Sequence, residues 1–374
     1  MAVDSAGPAT GESALFRFLP GLRGTIPWKH LGCWPTPVQE LRFASGGDAI
    51  YLKREDRSSP VYGGNKIRTL EGHLGAALAA GCTEVWSCGA FGSNHATAAT
   101  LHARALGLTP GVTLFRQPPS RPAQENMRAF LSARPLTRDI RNVLLVPAIL
   151  AQLRRRRGAY VMAPGGASPI GCLGHVGAAL ELAEQVANGE CPPPRTIVVA
   201  VGSTCTTSGI LTGLHLASHI GIGFGPGRAP LPRLLAVRAT PWPVTSPLRI
   251  LKLARRTAAL IEHLAGSHLH LTRSEIGYNL EVEGRFLGRG YGRAAASTRG
   301  AMALMSRLGG PALDEVYSGK SGAALFQRSF QDPRGGPYLF WATKSSAPLP
   351  PGDDESQSQA PKRWQRWLHE PALA

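Results

Sequence analysis

Acidic residues are scarce: 24 Asp and Glu stand against 41 Lys and Arg in 374 residues, a formal charge of +17. Such a balance raises the question of a polyanionic partner. Arginine carries the excess and is dispersed along the chain, however, and only Arg154-Arg155-Arg156-Arg157 forms a dense run. No aromatic residues are interleaved in it of the kind on which single-strand binders stack bases. It reads as a solvated helix end, and nucleic acid is not the expected partner. Long apolar runs are missing as well. None approaches the roughly 20 residues that cross a bilayer, and the first residues, with Asp4 and Glu12 and no basic region ahead of an apolar one, do not read as a secretory signal. No membrane contact is expected, and a cytoplasmic location is. The six cysteines (Cys33, Cys82, Cys88, Cys172, Cys191, Cys205) include no Cys-x-x-Cys pair, and the histidines include no His-Glu-x-x-His. This spacing speaks against a zinc site and a disulfide framework, and leaves the thiols as small core residues of a reducing compartment.

What is present is an ordinary globular composition, 43% hydrophobic and 17% charged, long enough for two domains. Residues 1–14 are small and polar and are expected to be frayed. Leu15 to Pro20 and Ile26 to Trp28 read as a packed, extended arm. Beyond Pro35-Thr36-Pro37, short apolar runs alternate with stretches of helical periodicity. Ala49–Lys53, Val85–Cys88, Gly111–Phe115, Ala159–Pro164, Thr196–Val201, Leu234–Val237 and Tyr338–Trp341 read as strands, and helices are expected between them. That alternation calls for parallel sheets covered by helices. Residues 143–150 fit either a strand or a buried helix, with Pro147 interrupting both. Past Lys344 the composition turns to Pro, Asp, Ser and Gln, and a disordered tail is expected over 346–374, with at most one amphipathic turn around Trp364 and Trp367.

Three glycine or serine turns, each opening a helix, carry the candidate chemistry. Gly63-Gly64-Asn65-Lys66-Ile67-Arg68 delivers one lysine at a helix start. Ser93-Asn94-His95 follows a strand, and Gly202-Ser203-Thr204 follows the all-apolar strand that ends at Val201. Helix starts favour anions, so the three together suit one anionic, carbonyl-bearing ligand. Each alone has a plainer reading, as a solvated lysine, an N-cap or a packing turn.

On these motifs the sequence resembles the fold-type II pyridoxal-phosphate enzymes, within them the D-cysteine desulfhydrase / 1-aminocyclopropane-1-carboxylate deaminase family, from Trp34 to about Thr343. The resemblance implies an α/β fold of two parallel-sheet domains with the cofactor in the cleft between them. The larger would span 1–66 and 165–345, and the smaller would be inserted at 67–164. It implies pyridoxal 5'-phosphate as cofactor, a small amino acid as substrate and a homodimer. Lys66 would carry the cofactor and move the substrate α-proton, Asn94 would donate to the phenolate oxygen, and Ser93 and His95 would meet the substrate carboxylate. Val201 and Gly202-Ser203-Thr204 would hold the phosphate, Tyr291 and Tyr317 would serve in proton transfer, and Thr343 would approach the pyridine nitrogen. Ser318 and Thr343 stand where two hydroxyls accompany thiol elimination, and where a carboxylate with an aliphatic residue accompanies cyclopropane opening. Three departures bear on the substrate: Ala342-Thr343-Lys344-Ser345 replaces His-Thr-Gly-Gly, Thr69 replaces a lysine, and the phosphate turn is less glycine-rich than usual. The implied activity is elimination from D-cysteine to pyruvate, ammonia and sulfide. Cyclopropane deamination, or a binding or regulatory role without turnover, are the alternatives.

Overall fold

The computed structural model describes residues 11–42, 49–266 and 271–372. Six strands form one sheet: β1 (Val38–Leu41), β2 (Ile50–Lys53), β7 (Thr196–Val201), β8 (Arg233–Arg238), β9 (Leu280–Glu283) and β10 (Tyr338–Trp341), in the order β1-β2-β10-β7-β8-β9. Only β1 runs antiparallel, pairing Val38 with Lys53 at the sheet edge. The last strand in sequence thus sits between β2 and β7, with Tyr338 opposite both Ile50 and Thr196. All six residues of β7 are buried, as its unbroken apolar run requires of a central parallel strand. The second sheet, all parallel, has the order β5-β4-β3-β6 from β3 (Glu84–Ala90), β4 (Thr109–Phe115), β5 (Leu136–Ile140) and β6 (Ala159–Val161).

Helices α1 (Ala14–Phe18), α6 (Pro169–Ala187), α7 (Cys205–His219), α8 (Pro247–Ala265) and α9 (Arg273–Tyr278) gather on one side of the large sheet, α10 (Ala296–Arg307) and α11 (Ser318–Gln331) cover the other, and α2 (Lys66–Ala79) packs between α6 and the second sheet. Helices α3 (Asn94–Ala105), α4 (Arg121–Leu131) and α5 (Val146–Arg154) flank the small sheet, followed at the far end of the chain by α12 (Asp354–Gln359) and α13 (Lys362–Leu368). Local signals place these ends. Ser168 caps α6 ahead of Pro169, and Gly266 closes α8 in the left-handed region at φ 63°.

Several expectations are corrected. The supposed extended arm is helical at α1, capped by Ser13, and the chain is packed from Gly11, whose N–H donates to the Trp34 carbonyl at 2.9 Å; the first ten residues of the expected frayed stretch lie outside the described residues. Residues 143–150 are helical, Pro147 being absorbed in the first turn of α5, where no N–H partner is needed. Of the expected disordered tail at 346–374, residues 346–372 are described and are not disordered: Trp364 and Trp367 are wholly buried against Phe91, Met127 and Phe130, and this apolar burial offsets the cost of ordering the segment. The arginine run is the exposed end of α5, and Arg156 pairs with Glu84 at 2.8 Å. No described helix is long and apolar enough to cross a membrane.

Candidate active site

Lys66 is the first residue of α2, and the turn before it is built by contacts nearly the length of the chain away. Gly64 sits at φ 85°, and a Cβ there would lie 2.6 Å from the Thr343 carbonyl, so glycine answers both the backbone angle and the close approach. The N–H of Asn65 donates to that same carbonyl at 3.2 Å, and the N–H of Gly63 donates to Ser345 Oγ at 2.8 Å. The altered segment Ala342-Thr343-Lys344-Ser345 is therefore the mould of the lysine turn. The Lys66 amine has no carboxylate partner among the described residues, and burial lowers its pKa from the usual lysine value.

The start of α7 lies alongside. Asn65 Nδ2 donates to Thr206 Oγ1 at 2.7 Å, tying the two helix starts together. Thr204, the residue before α7, adopts the left-handed conformation at φ 74° without a side-chain cap, an uncommon state for a β-branched residue. It directs the first N–H groups of α7 outward as an anion nest. Ser203 touches Gly165, and Gly166 packs on Thr69 and on the His95 ring, where a Cβ would lie 3.1 Å from Cε1. Both ring nitrogens of His95 and the hydroxyl of Thr207 are buried and have no hydrogen-bond partner among the described residues. Burial, with the Lys66 charge nearby, holds His95 well below the usual histidine pKa, so its ring is neutral near pH 7. Thr69 bonds His175 at 3.0 Å, and beneath the turn the thiols of Cys172 and Cys205 lie 3.7 Å apart. Val201, at the end of β7, keeps its side chain in the core.

Ser93 caps α3. The Asn94 amide oxygen accepts from Tyr62 Oη at 3.1 Å and from Asn126 Nδ2 at 2.7 Å, an orientation assigned from the hydrogen-bond network. With its oxygen occupied, Asn94 presents its NH2 as a donor. Across the cleft, Tyr291 and Tyr317 share a hydrogen bond of 2.7 Å between their hydroxyls. Burial raises both pKa values, that of Tyr291 to about 12. The Tyr317 ring lies so close over Gly202 that a Cβ there would be 2.7 Å from the ring. A narrow cavity is lined jointly by Ser93, Asn94, Gln117, Tyr291, Tyr317 and Lys344.

Thus Lys66, His95, Ser203 and Thr204 converge on one side, and Ser93, Asn94, Tyr291 and Tyr317 share the cavity. Thr343 meets the lysine turn through its carbonyl. The Ser318 hydroxyl does not reach the cavity: it accepts from the Asp314 N–H at 2.7 Å and donates to the Asp314 carboxylate at 2.8 Å. Sequence reasoning missed Tyr62 and Asn126, which orient Asn94. It also missed Lys320, whose amine, pushed down by burial to about 8, holds the turn before Tyr291 through the Leu287 and Gly290 carbonyls at 2.9 Å each. A buried lysine two residues after Ser318 was the available signal.

These groups fit a phosphorylated pyridine aldehyde: an unpaired amine, a helix-start nest with an unpartnered hydroxyl, and a fixed amide donor. Residues 30–342 match the family of pyridoxal-phosphate dependent enzymes. The chain belongs to that family. As a member it is an enzyme with pyridoxal 5'-phosphate as its cofactor. It is similar to D-cysteine desulfhydrase of Salmonella paratyphi C, 30% identical over 332 residues that cover 84% of this chain and 93% of that protein. The nocardicin C-9' epimerase of Nocardia uniformis subsp. tsuyamanensis is 39% identical over 176 residues, 45% of this chain and about half (53%) of the epimerase. Among solved structures, one described as an ACC deaminase homologue aligns with a TM-score of 0.72 at 28% identity, covering 90% of this chain and 96% of that one.

Proposed function

We propose that this lyase or deaminase removes a β-substituent from a small amino acid, with thiol elimination from D-cysteine to pyruvate, ammonia and sulfide as the model reaction. The observation that carries this reading is the half-buried Tyr291–Tyr317 hydroxyl pair, neutral at pH 7, which shares a cavity with Asn94: it can protonate a leaving group while Lys66 takes the α-proton. When bound, pyridoxal phosphate supplies the electron-withdrawing ring that stabilises negative charge at the α-carbon. Lys66 Nζ holds the cofactor and accepts the α-proton, its pKa lowered by burial. The Asn94 NH2 would donate to the cofactor's phenolate oxygen, and the turn from Val201 to Thr204 would hold its phosphate. Ser93 and the neutral His95 donate to the substrate carboxylate. Tyr317 Oη, backed by Tyr291 Oη, delivers a proton to the departing sulfur. Thr343 would approach the ring nitrogen of the bound cofactor, and Ser318 acts from behind by fixing Asp314, whose carboxylate also accepts the N–H groups of Val316 and Tyr317.

The cofactor cleft lies between an inserted unit at 67–164 and the rest of the chain. We propose a cytoplasmic homodimer, supported by the apolar side chains exposed together at Trp242, Val244 and Leu248; sedimentation at the mass of one chain would remove it. Opening of a cyclopropane amino acid is the second reading, kept by the relative from Pyrococcus horikoshii named a putative 1-aminocyclopropane-1-carboxylate deaminase, 35% identical over 215 residues. Assaying both substrates side by side decides between them, with sulfide release expected to be the faster. Exchange of the α-proton with solvent deuterium, without release of pyruvate or ammonia, would instead assign epimerisation, the activity in the name of the Nocardia relative.

A further inference from the structure

The family match ends at residue 342, yet the chain beyond it returns to the underside of the turn that carries Ser93 and Asn94. Helix α13 buries Trp364 and Trp367 against Phe91, with ring centroids 5.7 and 5.4 Å from the phenyl ring. Phe91 lies two residues before Ser93. Trp367 Nε1 donates to the Gln117 carbonyl at 2.8 Å, and the Gln117 side-chain amide donates in turn to the Phe91 carbonyl. Trp364 Nε1 and Arg363 both bind Asp139, at 2.8 and 3.0 Å, which fixes the helix on the end of β5. A second connection runs through α4. On one side, Gln124 donates to the Trp367 and Glu370 carbonyls and Arg128 donates to that of Leu368. On the other, Asn126 donates to the Gly92 carbonyl at 3.1 Å and to Asn94 Oδ1 at 2.7 Å. Ala123 abuts Gly92 so closely that any Cβ there would overlap its carbonyl.

We propose that Trp364 and Trp367 are positioning residues for the active site, fixing through Gln117 and α4 the turn from Gly92 to Asn94 and hence the amide that Asn94 offers the cofactor. The proposal rests on the reading of the Lys66 cleft as the cofactor site. A surface helix packed only for stability would need neither two indole N–H bonds to backbone and carboxylate nor a polar path ending at the active-site asparagine. Positioning requires that the segment and the cofactor stabilise one another, because coupling between two sites is reciprocal.

The test uses the full chain with Trp367→Phe, which keeps an aromatic ring against Phe91 but removes the N–H donor to Gln117 together with the second ring of the indole. Amide hydrogen exchange across residues 91–96 of the cofactor-free variant should quicken, and the dissociation constant for pyridoxal phosphate should rise about fivefold. The control is Arg134→Ala, which removes the exposed Arg134–Glu355 pair at the outer end of the segment and should change neither. Wild-type exchange and affinity in Trp367→Phe would overturn the proposal, as would an equal effect in the control, which would mark general loosening. Should Trp367→Phe fail to fold, the unmodified protein serves: adding pyridoxal phosphate should slow exchange across residues 362–370. Unchanged exchange there, with the cofactor bound at Lys66, overturns the positioning role alone; an absence of cofactor binding overturns the reading of the cleft as well.

Discussion

Lys66 and Arg68 stand two residues apart in the first turn of α2, and their surroundings are opposites. The Arg68 guanidinium reaches Glu55 at 2.8 Å and Glu181 at 2.9 Å and lies 3.4 Å over the Trp34 ring. Lys53 adds its amine to Glu181 at 2.6 Å and to Gln185, so every charge in that cluster is answered inside the protein. Around Lys66, the amine and the nearby His95 ring have no hydrogen-bond or ion-pair partner among the described residues. Burial costs both regions alike. Where the protein supplies the counter-charge, the group holds the chain at Thr36, the end of β2, α2 and α6 together; where it does not, the groups stay open to a ligand.

The contrast is broken most severely at Lys66. Lys66→Ala should lower pyruvate release on the order of 10³-fold or more while leaving the melting temperature unchanged or raised. Borohydride reduction of the wild type should fix the phosphopyridoxyl mass on Lys66. A variant that loses the fold and keeps activity would invert the comparison. Arg68→Met should do the reverse, costing about 3–5 kcal/mol in denaturant titrations because Glu55 and Glu181 lose their shared cation, with kcat of the folded fraction within a few-fold of wild type. Acid sharpens this. Glu181 is held down to about 2 against burial, by Arg68 first and then Lys53. Its stabilisation is therefore complete above about pH 4.5 and lost as the pH falls toward 2, a contribution of about 3 kcal/mol. The melting temperature of Glu181→Gln should lie well below wild type at pH 7, and the gap should narrow by about half at pH 3 and close only as the pH falls below about 2.

On the site side, Tyr317→Phe should lower kcat about 100-fold with little change in KM, and Tyr291→Phe less. Because His95 is neutral well below pH 6.5, kcat/KM should show no limb from it between pH 6 and 7. The smallest effect is expected at Lys344, which lines the cleft without an ion-pair partner among the described residues: Lys344→Gly should change KM for D-cysteine only a few-fold, and a larger loss would mean that its ammonium binds the substrate.

The three turns were legible because each rests on backbone rules that local sequence obeys: a glycine for a left-handed angle, a serine cap, an apolar strand running into a helix start. Groups whose role depends on distant partners were not legible. Tyr62 and Asn126 look like packing residues until the fold brings both to Asn94. Ser318 has the hydroxyl that family comparison asks for, but the aspartate four residues earlier engages it. Strands β5 and β9 were hidden by charged residues at the sheet edges, where one face meets water. The segment from 346 was hidden by its prolines and acidic residues, although Trp364 and Trp367 lie three apart, the spacing of one helical face.

The lysine turn also dictates when the enzyme can be completed. Gly63 and Asn65 take their hydrogen bonds from Ser345 and Thr343, and β10, which delivers those residues, must slot between β2 and β7. During synthesis the turn therefore waits for almost 280 further residues before its shape exists. A half-made chain can already form the four-stranded sheet from its neighbouring segments, but it has no mould for Lys66. On the reading of Lys66 as the cofactor lysine, cofactor capture waits for β10 and the segment from Thr343 to Ser345.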